Sequence, residues 1–291
     1  MDFRQLEYFC AVAEEKSISG AAKILNIAQP PLSRQIAALE EELGVPLLIR
    51  GNRGVELTEA GSSLYDQSRQ ILSGAERIRD SLHALGSGVS GTVKAGMLYS
   101  TVPFALPYVQ KFHRENPGVK LYIRLGTPKD LLADLNRREL DAVFLRGAAG
   151  DATGLSTRVI GEDRLELVMS AETDPAPELS AVPVERLRDV PMCLLRSDDV
   201  WSYNEYLLGE CRRSGFVPNV ACHCYDTPMA MQLVQSGFGI SFLPASIVRT
   251  QPGSGIYSKP LRGGTVRSFV ELVWREDPFR PACLGLFTGE S

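Results

Sequence analysis

The chain has 291 residues, 44% hydrophobic and 23% charged, with a formal net charge of −4, the composition of an ordinary soluble protein with room for two or three domains. No apolar run approaches the roughly 20 residues of a membrane span, which excludes a helical membrane protein. The first ten residues, MDFRQLEYFC, carry acids and enter an amphipathic pattern at once, unlike an export signal, so the chain is expected to stay in the cytoplasm. Its six cysteines, at 10, 193, 211, 222, 224 and 283, contain no CxxC and fit no disulfide framework, so reduced thiols are expected.

Phe3, Leu6, Cys10 and Ala13 space out the apolar stripe of a first helix, with Asp2 placed to cap it. Ser17, Ile18 and Ser19 interrupt the pattern. Ser19 is expected to cap a short helix over 20–25, in which Ala21 and Ala22 permit close helix–helix approach. Asn26, Ile27 and Ala28 form a turn. A third helix begins with Pro30 and Pro31 in its first turn, where missing backbone donors cost least, and ends at Gly44. Leu32, Ile36, Leu39 and Leu43 give its inward face, with Pro30, Arg34 and Ala37 opposite. Gln29, Ser33, Arg34 and Gln35 occupy the first two turns, and Arg and Gln can bond base edges in bidentate fashion in the major groove. A solvated surface helix accounts for the same pattern. The charge balance of residues 1–58 favours that reading, because six Lys and Arg stand against eight Asp and Glu. DNA binding here requires cations concentrated on one face and two subunits acting together. Residues 45–50 and 55–57 read as short strands around a turn at 51–54, a hairpin with Arg50 and Arg53 at its tip. A helix-turn-helix followed by such a hairpin is a winged helix, and an arginine at a wing tip can reach a phosphate or the minor groove.

The run from Phe3 to Gly61 resembles the N-terminal domain of the LysR-type transcriptional regulators. It carries Q-P-x-L-S-x-Q-I-x-x-L-E-x-x-L-G-x-x-L and then R-x-x-R-G-x-x-L-T-x-A-G. The resemblance implies that Gln29, Pro30, Ser33 and Arg34 lie at the bases, with Ser19 and Gln35 on the same DNA-facing side. It places Arg50 and Arg53 at the backbone or minor groove. Ala28 departs from the family pattern, which often has a capping Ser or Thr there; its absence weakens the helix start by ~1 kcal/mol.

Thr58 is placed to cap a long helix over 59–86. Leu64, Ser68, Ile71, Ala75, Ile78, Leu82 and Leu85 form a heptad seam broken by Ser68. Burial against its own domain is the competing explanation for so short a seam; the resemblance implies a linker helix that pairs two subunits. The Gly/Ser-rich stretch 86–91 is a linker. From Thr92 strands and helices alternate. Strands are expected at 93–97, 119–125 and 140–145 around helices at 102–116 and 129–138. A second unit has strands at 165–170, 191–195, 221–225 and 239–244 and helices at 203–214 and 227–237. Residues 268–275 then cross back, and the tail from 278 forms a short helix. The expected fold is α/β with an N-terminal winged helix-turn-helix, a long dimerisation helix and a two-lobed, periplasmic-binding-protein-like effector domain. Its expected parts are 1–58 (DNA-binding), 59–86 (linker helix), 87–91 (hinge), 92–163 with 269–291 (lobe I) and 164–268 (lobe II).

Ligands of open parallel sheets bind beyond the C-terminal strand ends. Those ends offer Ser100 and Thr101, Thr127 and Arg146 in lobe I, and Trp201, Ser202 and Thr227 in lobe II. Hydroxyls and helix-start amides with one Arg nearby suit a carboxylate, and Trp201 supplies a wall for a planar ligand. Helix capping and an ordinary ion pair are the competing explanations for these hydroxyls and for Arg146. G-x-x-x-S ending at Ser100, G-T at Thr127 and D-A-x-F-x-R ending at Arg146 resemble the branch that senses benzoate- and muconate-like acids. In that branch the matching Ser, Thr and Arg contact effector.

Cys222, His223 and Cys224 alternate on a strand, so the imidazole faces away from the thiols and a shared metal is not expected. Peroxide-sensing family members use a cysteine pair in the second lobe. Cys211 lies near one of those positions, but Ser202 stands near the other, which argues against a redox switch. Three histidines and no nucleophile in view give no catalytic set, and no cofactor is expected. The resemblance implies a homodimer or homotetramer bound to double-stranded promoter DNA, a small-molecule effector such as a small carboxylate, and contact with RNA polymerase, with no membrane partner. A small-molecule binding module and a thiol-based redox regulator are the alternatives.

Overall fold

The computed structural model describes residues 1–51, 54–87, 90–147, 154–196, 203–251, 253–276 and 282–289. The first helix, α1 (Phe3–Glu15), starts at a capping box. Asp2 Oδ1 accepts from the Gln5 amide at 2.8 Å, and Gln5 Oε1 accepts from the Asp2 amide at 3.0 Å. Its inward face is Leu6, Phe9, Cys10 and Val12; Phe3, expected on that stripe, is exposed. The second helix, α2 (Ile18–Ile24), is capped by Ser17, whose Oγ accepts from the Gly20 amide at 3.1 Å. Ser19, the expected cap, is one residue inside the helix and exposed, because Ser17 already has the extended backbone that a cap needs. In α3 (Gln29–Leu43), Leu32, Ile36 and Leu39 are fully buried against Phe9, Val12, Ala21 and Ala22, while Leu43 lies at the edge. Gly44 ends α3 in the left-handed conformation at φ +69°.

The wing is an antiparallel pair, β1 (Leu48–Gly51) and β2 (Gly54–Leu57). Its first strand begins three residues later than expected. The Leu47 and Leu48 amides instead donate to Glu40 Oε1 on α3, at 2.8 and 3.1 Å. Thr58 caps α4 (Glu59–Ser87) by accepting from the Gly61 amide at 2.9 Å. Gly61 lies so close to the wing that a Cβ there would sit 2.1 Å from the Leu47 carbonyl oxygen. The expected seam on α4 divides. Leu64 packs on the head and Ser68 is fully buried, whereas Ile71 and Ile78 are 45% and 64% exposed. Leu82 and Leu85 lie outside the side chains described.

One seven-stranded sheet runs through the effector domain. In lobe I, β3 (Gly91–Met97) lies between β4 (Val119–Leu125) and β5 (Ala142–Arg146), parallel to both. The helices α5 (Val102–Glu115) and α6 (Pro128–Asn136) connect these strands. The next strand, β6 (Leu155–Ser170), is ten residues longer at its start than expected, because it is itself a crossover between lobes. Its first part pairs with β11 (Val266–Arg275), which also pairs antiparallel with β5. Its last part pairs in lobe II with β9 (Ser241–Pro244) and β10 (Ile256–Lys259). A separate parallel pair, β7 (Met192–Leu195) and β8 (Val220–Cys224), packs with α7 (Tyr203–Arg213), α8 (Thr227–Gln235) and α9 (Ala245–Arg249). The C-terminal helix α10 (Ala282–Thr288) returns to lobe I, where Phe287 packs edge-on against Tyr108, Phe112 and Phe144. Each lobe therefore has its own apolar core, and the two share the β6–β11 ribbon.

Candidate DNA-reading face and effector cleft

The inward stripe of α3 fixes which side chains point out. Gln29, Pro30, Arg34 and Gln35 are exposed and Ser33 is half-buried. Arg34 has no ion-pair partner among the described residues, and Gln35 Oε1 accepts a 3.4 Å bond from Gln5 Nε2. Ala28 gives no side-chain cap, and Pro30 and Pro31 carry no backbone N–H, so the Gln29 amide is the uncapped donor of the first turn of α3. Ser19 is exposed on α2. Arg50, on β1, pairs with Glu40 at 3.6 Å. Arg53 lies outside the described residues. The acids of α3 turn elsewhere: Glu40 serves the wing amides and Arg50, and Glu42 pairs with the Met1 ammonium at 2.5 Å.

In the effector domain the expected ligand residues separate into two groups. Ser100 sits in the 3₁₀ turn Tyr99–Thr101 after β3, and its hydroxyl has no hydrogen-bond partner among the described residues. Thr227 is the first residue of α8; Asp226 does the capping, and the Thr227 hydroxyl is likewise unpartnered there. Thr127 is exposed but works as the cap of α6, accepting from the Asp130 amide at 3.2 Å and donating to Asp130 Oδ2 at 2.7 Å. Two expectations fail. Thr101 is fully buried, and its Oγ1 donates to the Leu98 carbonyl at 2.8 Å. The Arg146 side chain is 1% exposed and is not offered to a ligand. Its Nη2 lies 2.8 Å from Asp163 Oδ2, and its Nε and Nη2 donate to the Ser100 carbonyl at 3.0 and 2.5 Å. Asp163 in turn accepts from Ser246 Oγ at 2.5 Å and from the Ser246 amide at 3.3 Å. The physical reason is local: a guanidinium at the end of a buried strand needs a counter-charge, and β6 supplies one. Trp201 and Ser202 lie outside the described residues.

Asp163, Ser246, Tyr99 and Gln251 were missed by sequence reasoning. Gln251 Nε2 donates to Tyr99 Oη at 3.2 Å, linking lobe II to lobe I. Asp163 had a readable signal, since Asp163, Leu165 and Leu167 alternate on the inward face of β6 and an acid at such a position demands a partner. Tyr99 and Gln251 carry no such signal.

Residues 3–62 match the family model described as the bacterial regulatory helix-turn-helix protein, lysR family, and residues 86–289 match the LysR substrate binding domain. The chain belongs to the LysR family. It is a DNA-binding transcriptional regulator with an effector-binding domain. The HTH-type transcriptional regulator XapR of Escherichia coli K12 is 34% identical over 98% of this chain and 96% of its own length. Among solved structures, the LysR family transcriptional regulator CbnR superposes with a TM-score of 0.78 at 27% identity, covering 100% of this chain and 98% of that one. Full-length CbnR complexed with its target DNA gives 0.77 at the same identity and coverage. These LysR relatives are regulators rather than enzymes. Among the described residues of this LysR protein, no helix is long and apolar enough to cross a membrane. Cys222 and Cys224 share one face of β8 with their Sγ atoms 4.0 Å apart, and Cys193 lies in register beside Cys222. Burial pushes the Cys193 thiol up to about 11 and that of Cys224 to about 12, so both stay protonated near neutral pH.

Proposed function

We propose that this LysR-type regulator reads promoter DNA with the first two turns of α3. Gln29, Ser33, Arg34 and Gln35 meet base edges, Pro30 packs beside them, and Ser19, Arg50 and Arg53 take the backbone or minor groove. The observation that carries this reading is the outward Arg34, without an ion-pair partner among the described residues, beside the uncapped start of α3. A bidentate Arg–guanine contact discriminates by about 1–3 kcal/mol, so Arg34→Ala is expected to cut the preference for the chain's own upstream duplex over random DNA about 5–150-fold. Fluorescence anisotropy against both duplexes measures this, and an unchanged ratio removes Arg34 from base reading.

The effector is a small carboxylate held between the lobes by Ser100, Thr127 and Thr227, with Trp201 and Ser202 closing the lobe II side. Arg146 acts behind Ser100 by fixing its carbonyl, and Thr101 by fixing the turn. The working units are the DNA-binding domain 1–58, the linker helix 59–86, the hinge 87–91, lobe I at 92–163 with 269–291, and lobe II at 164–268. The exposed Ile71 and Ile78 support pairing of two linker helices, and the reading extends to a cytoplasmic homotetramer that meets RNA polymerase at the promoter. A thermal-shift screen of the full chain with small carboxylates tests the effector class, because a ligand of the native state at free concentration L stabilises it by RT ln(1 + L/Kd) and so raises the melting temperature.

A further inference from the structure

We propose that Arg69, on the linker helix, is a positioning residue through which effector lobe I holds the DNA-binding head of its own chain. The proposal rests on the reading of the chain as an effector-controlled regulator. Arg69 Nη1 lies 3.1 Å from Glu14 Oε1 at the end of α1, and its Nε lies 3.6 Å from Glu139 Oε1 just beyond α6. One guanidinium thus grips an acid of the head and an acid of the lobe. The turns of α4 on either side repeat the pattern. Tyr65 Oη donates to the same Glu14 oxygen at 3.1 Å, and Ser73 Oγ donates to the Arg138 carbonyl at 3.2 Å.

The lobe side of this clasp is built rather than incidental. Arg138 adopts the left-handed conformation at φ +63°, an uncommon choice for a residue with a side chain, which persists when its surroundings fix it. The Glu139 and Leu140 amides both donate to the Asp134 carbonyl, at 2.9 and 3.2 Å, and so lock the turn that presents Glu139. Glu139 also pairs with Arg137 at 3.5 Å, Arg137 pairs with the buried Asp134 at 2.5 Å, and Asp134 pairs with Arg124 on β4. Alternating charges therefore run from α1 through α4 to the outer strand of lobe I. Between Tyr65 and Arg69, Ser68 is fully buried, so α4 is sealed into the molecule at this point. A partly exposed ion pair adds little to global stability, but it joins two separately folded bodies here. Its loss therefore changes which relative placements are populated, by several-fold.

The test is a double-mutant cycle on the full-length protein. Glu139→Gln removes the lobe's grip without changing size and sits far from the DNA-reading side chains. It is expected to change affinity for the upstream duplex several-fold and to alter the length of the DNase-protected region, with thermal stability unchanged. In an Arg69→Met background the same substitution is expected to have no further effect. Amide exchange on the DNA-free chain gives a second readout. Glu139→Gln should speed exchange in the last turn of α1 when Arg69 is present and leave it unchanged when Arg69 is Met. Equal effects in both backgrounds, or an α1 that exchanges as in the wild type, overturn the clasp. A wild-type chain that shows no preference for the upstream duplex defeats the functional reading instead, while the exchange experiment still decides the clasp.

Discussion

Asp163→Ala tests the assignment of Arg146 to the inside of the molecule. The two side chains are 1% and 2% exposed, and Asp163 accepts bonds from Arg146, from both the hydroxyl and the amide of Ser246, and from the Arg164 amide. The alanine removes the carboxylate that pairs with this buried guanidinium. Arginine cannot escape by losing a proton, so the full penalty stays. Breaking one side of such a pair costs about 3–5 kcal/mol. For a unit of about 200 residues, each kcal/mol lowers the melting temperature by roughly 2–4 °C, so a fall of about 6–20 °C is expected. Calorimetry on the full chain measures it, with Trp274 fluorescence following lobe I, in whose core that residue lies. Replacing both partners together (Arg146→Met with Asp163→Leu) is expected to recover most of the loss, because apolar residues of similar volume remove the desolvation cost as well as the attraction. A fall of under about 1 kcal/mol, the worth of an exposed pair, refutes the reasoning and returns Arg146 to the list of groups that a ligand can reach.

Other outcomes follow from the same geometry. Gly61→Ala is expected to destabilise the head by about 1–3 kcal/mol although alanine is the better helix former, because the new Cβ meets the Leu47 carbonyl at 2.1 Å; a variant melting above the wild type would contradict this. Glu40→Ala removes the acceptor of the Leu47 and Leu48 amides and is expected to cost about 2 kcal/mol in urea denaturation, with exchange rising first in β1. Thiol labelling of the native chain at pH 8 should modify Cys222 first. Burial raises Cys10 and Cys224 to about 12 and Cys193 and Cys211 to about 11, which keeps them protonated and unreactive. Rapid modification of Cys211 would revive the redox alternative.

The elements that strong periodicity specifies were legible. The 4-3-4 stripe of α3, the proline pair at its start, the glycine at its end and the β-α-β alternation of lobe I are all local patterns. Pairing across distance was not legible. The spacing of Leu64, Ser68, Ile71 and Ile78 describes one continuous stripe, yet Leu64 and Ser68 are covered by their own chain while Ile71 and Ile78 stay open. Nothing in a helical repeat says what covers it. Arg146 failed for the same reason. Its place at the end of a strand was correct, but its partner lies 17 residues on, in the part of β6 that precedes the strand expected from 165.

The acidic balance of the head shows why a charge count and a charge map differ. Four of the eight acids in residues 1–58 are engaged inside the molecule or away from α3's outer face, Asp2 among them as the cap of α1. Glu40 serves the wing, Glu42 the N-terminal ammonium and Glu14 the clasp at Arg69 and Tyr65. Arg34, in contrast, has no acid partner among the described residues, and the N-terminal end of the α3 dipole adds partial positive charge near it. The field that a phosphate meets at this face is set by those groups within about one Debye length, not by the sum over the domain. In the proposed assembly, two such faces held by paired linker helices supply by multiplicity what the domain lacks in net charge.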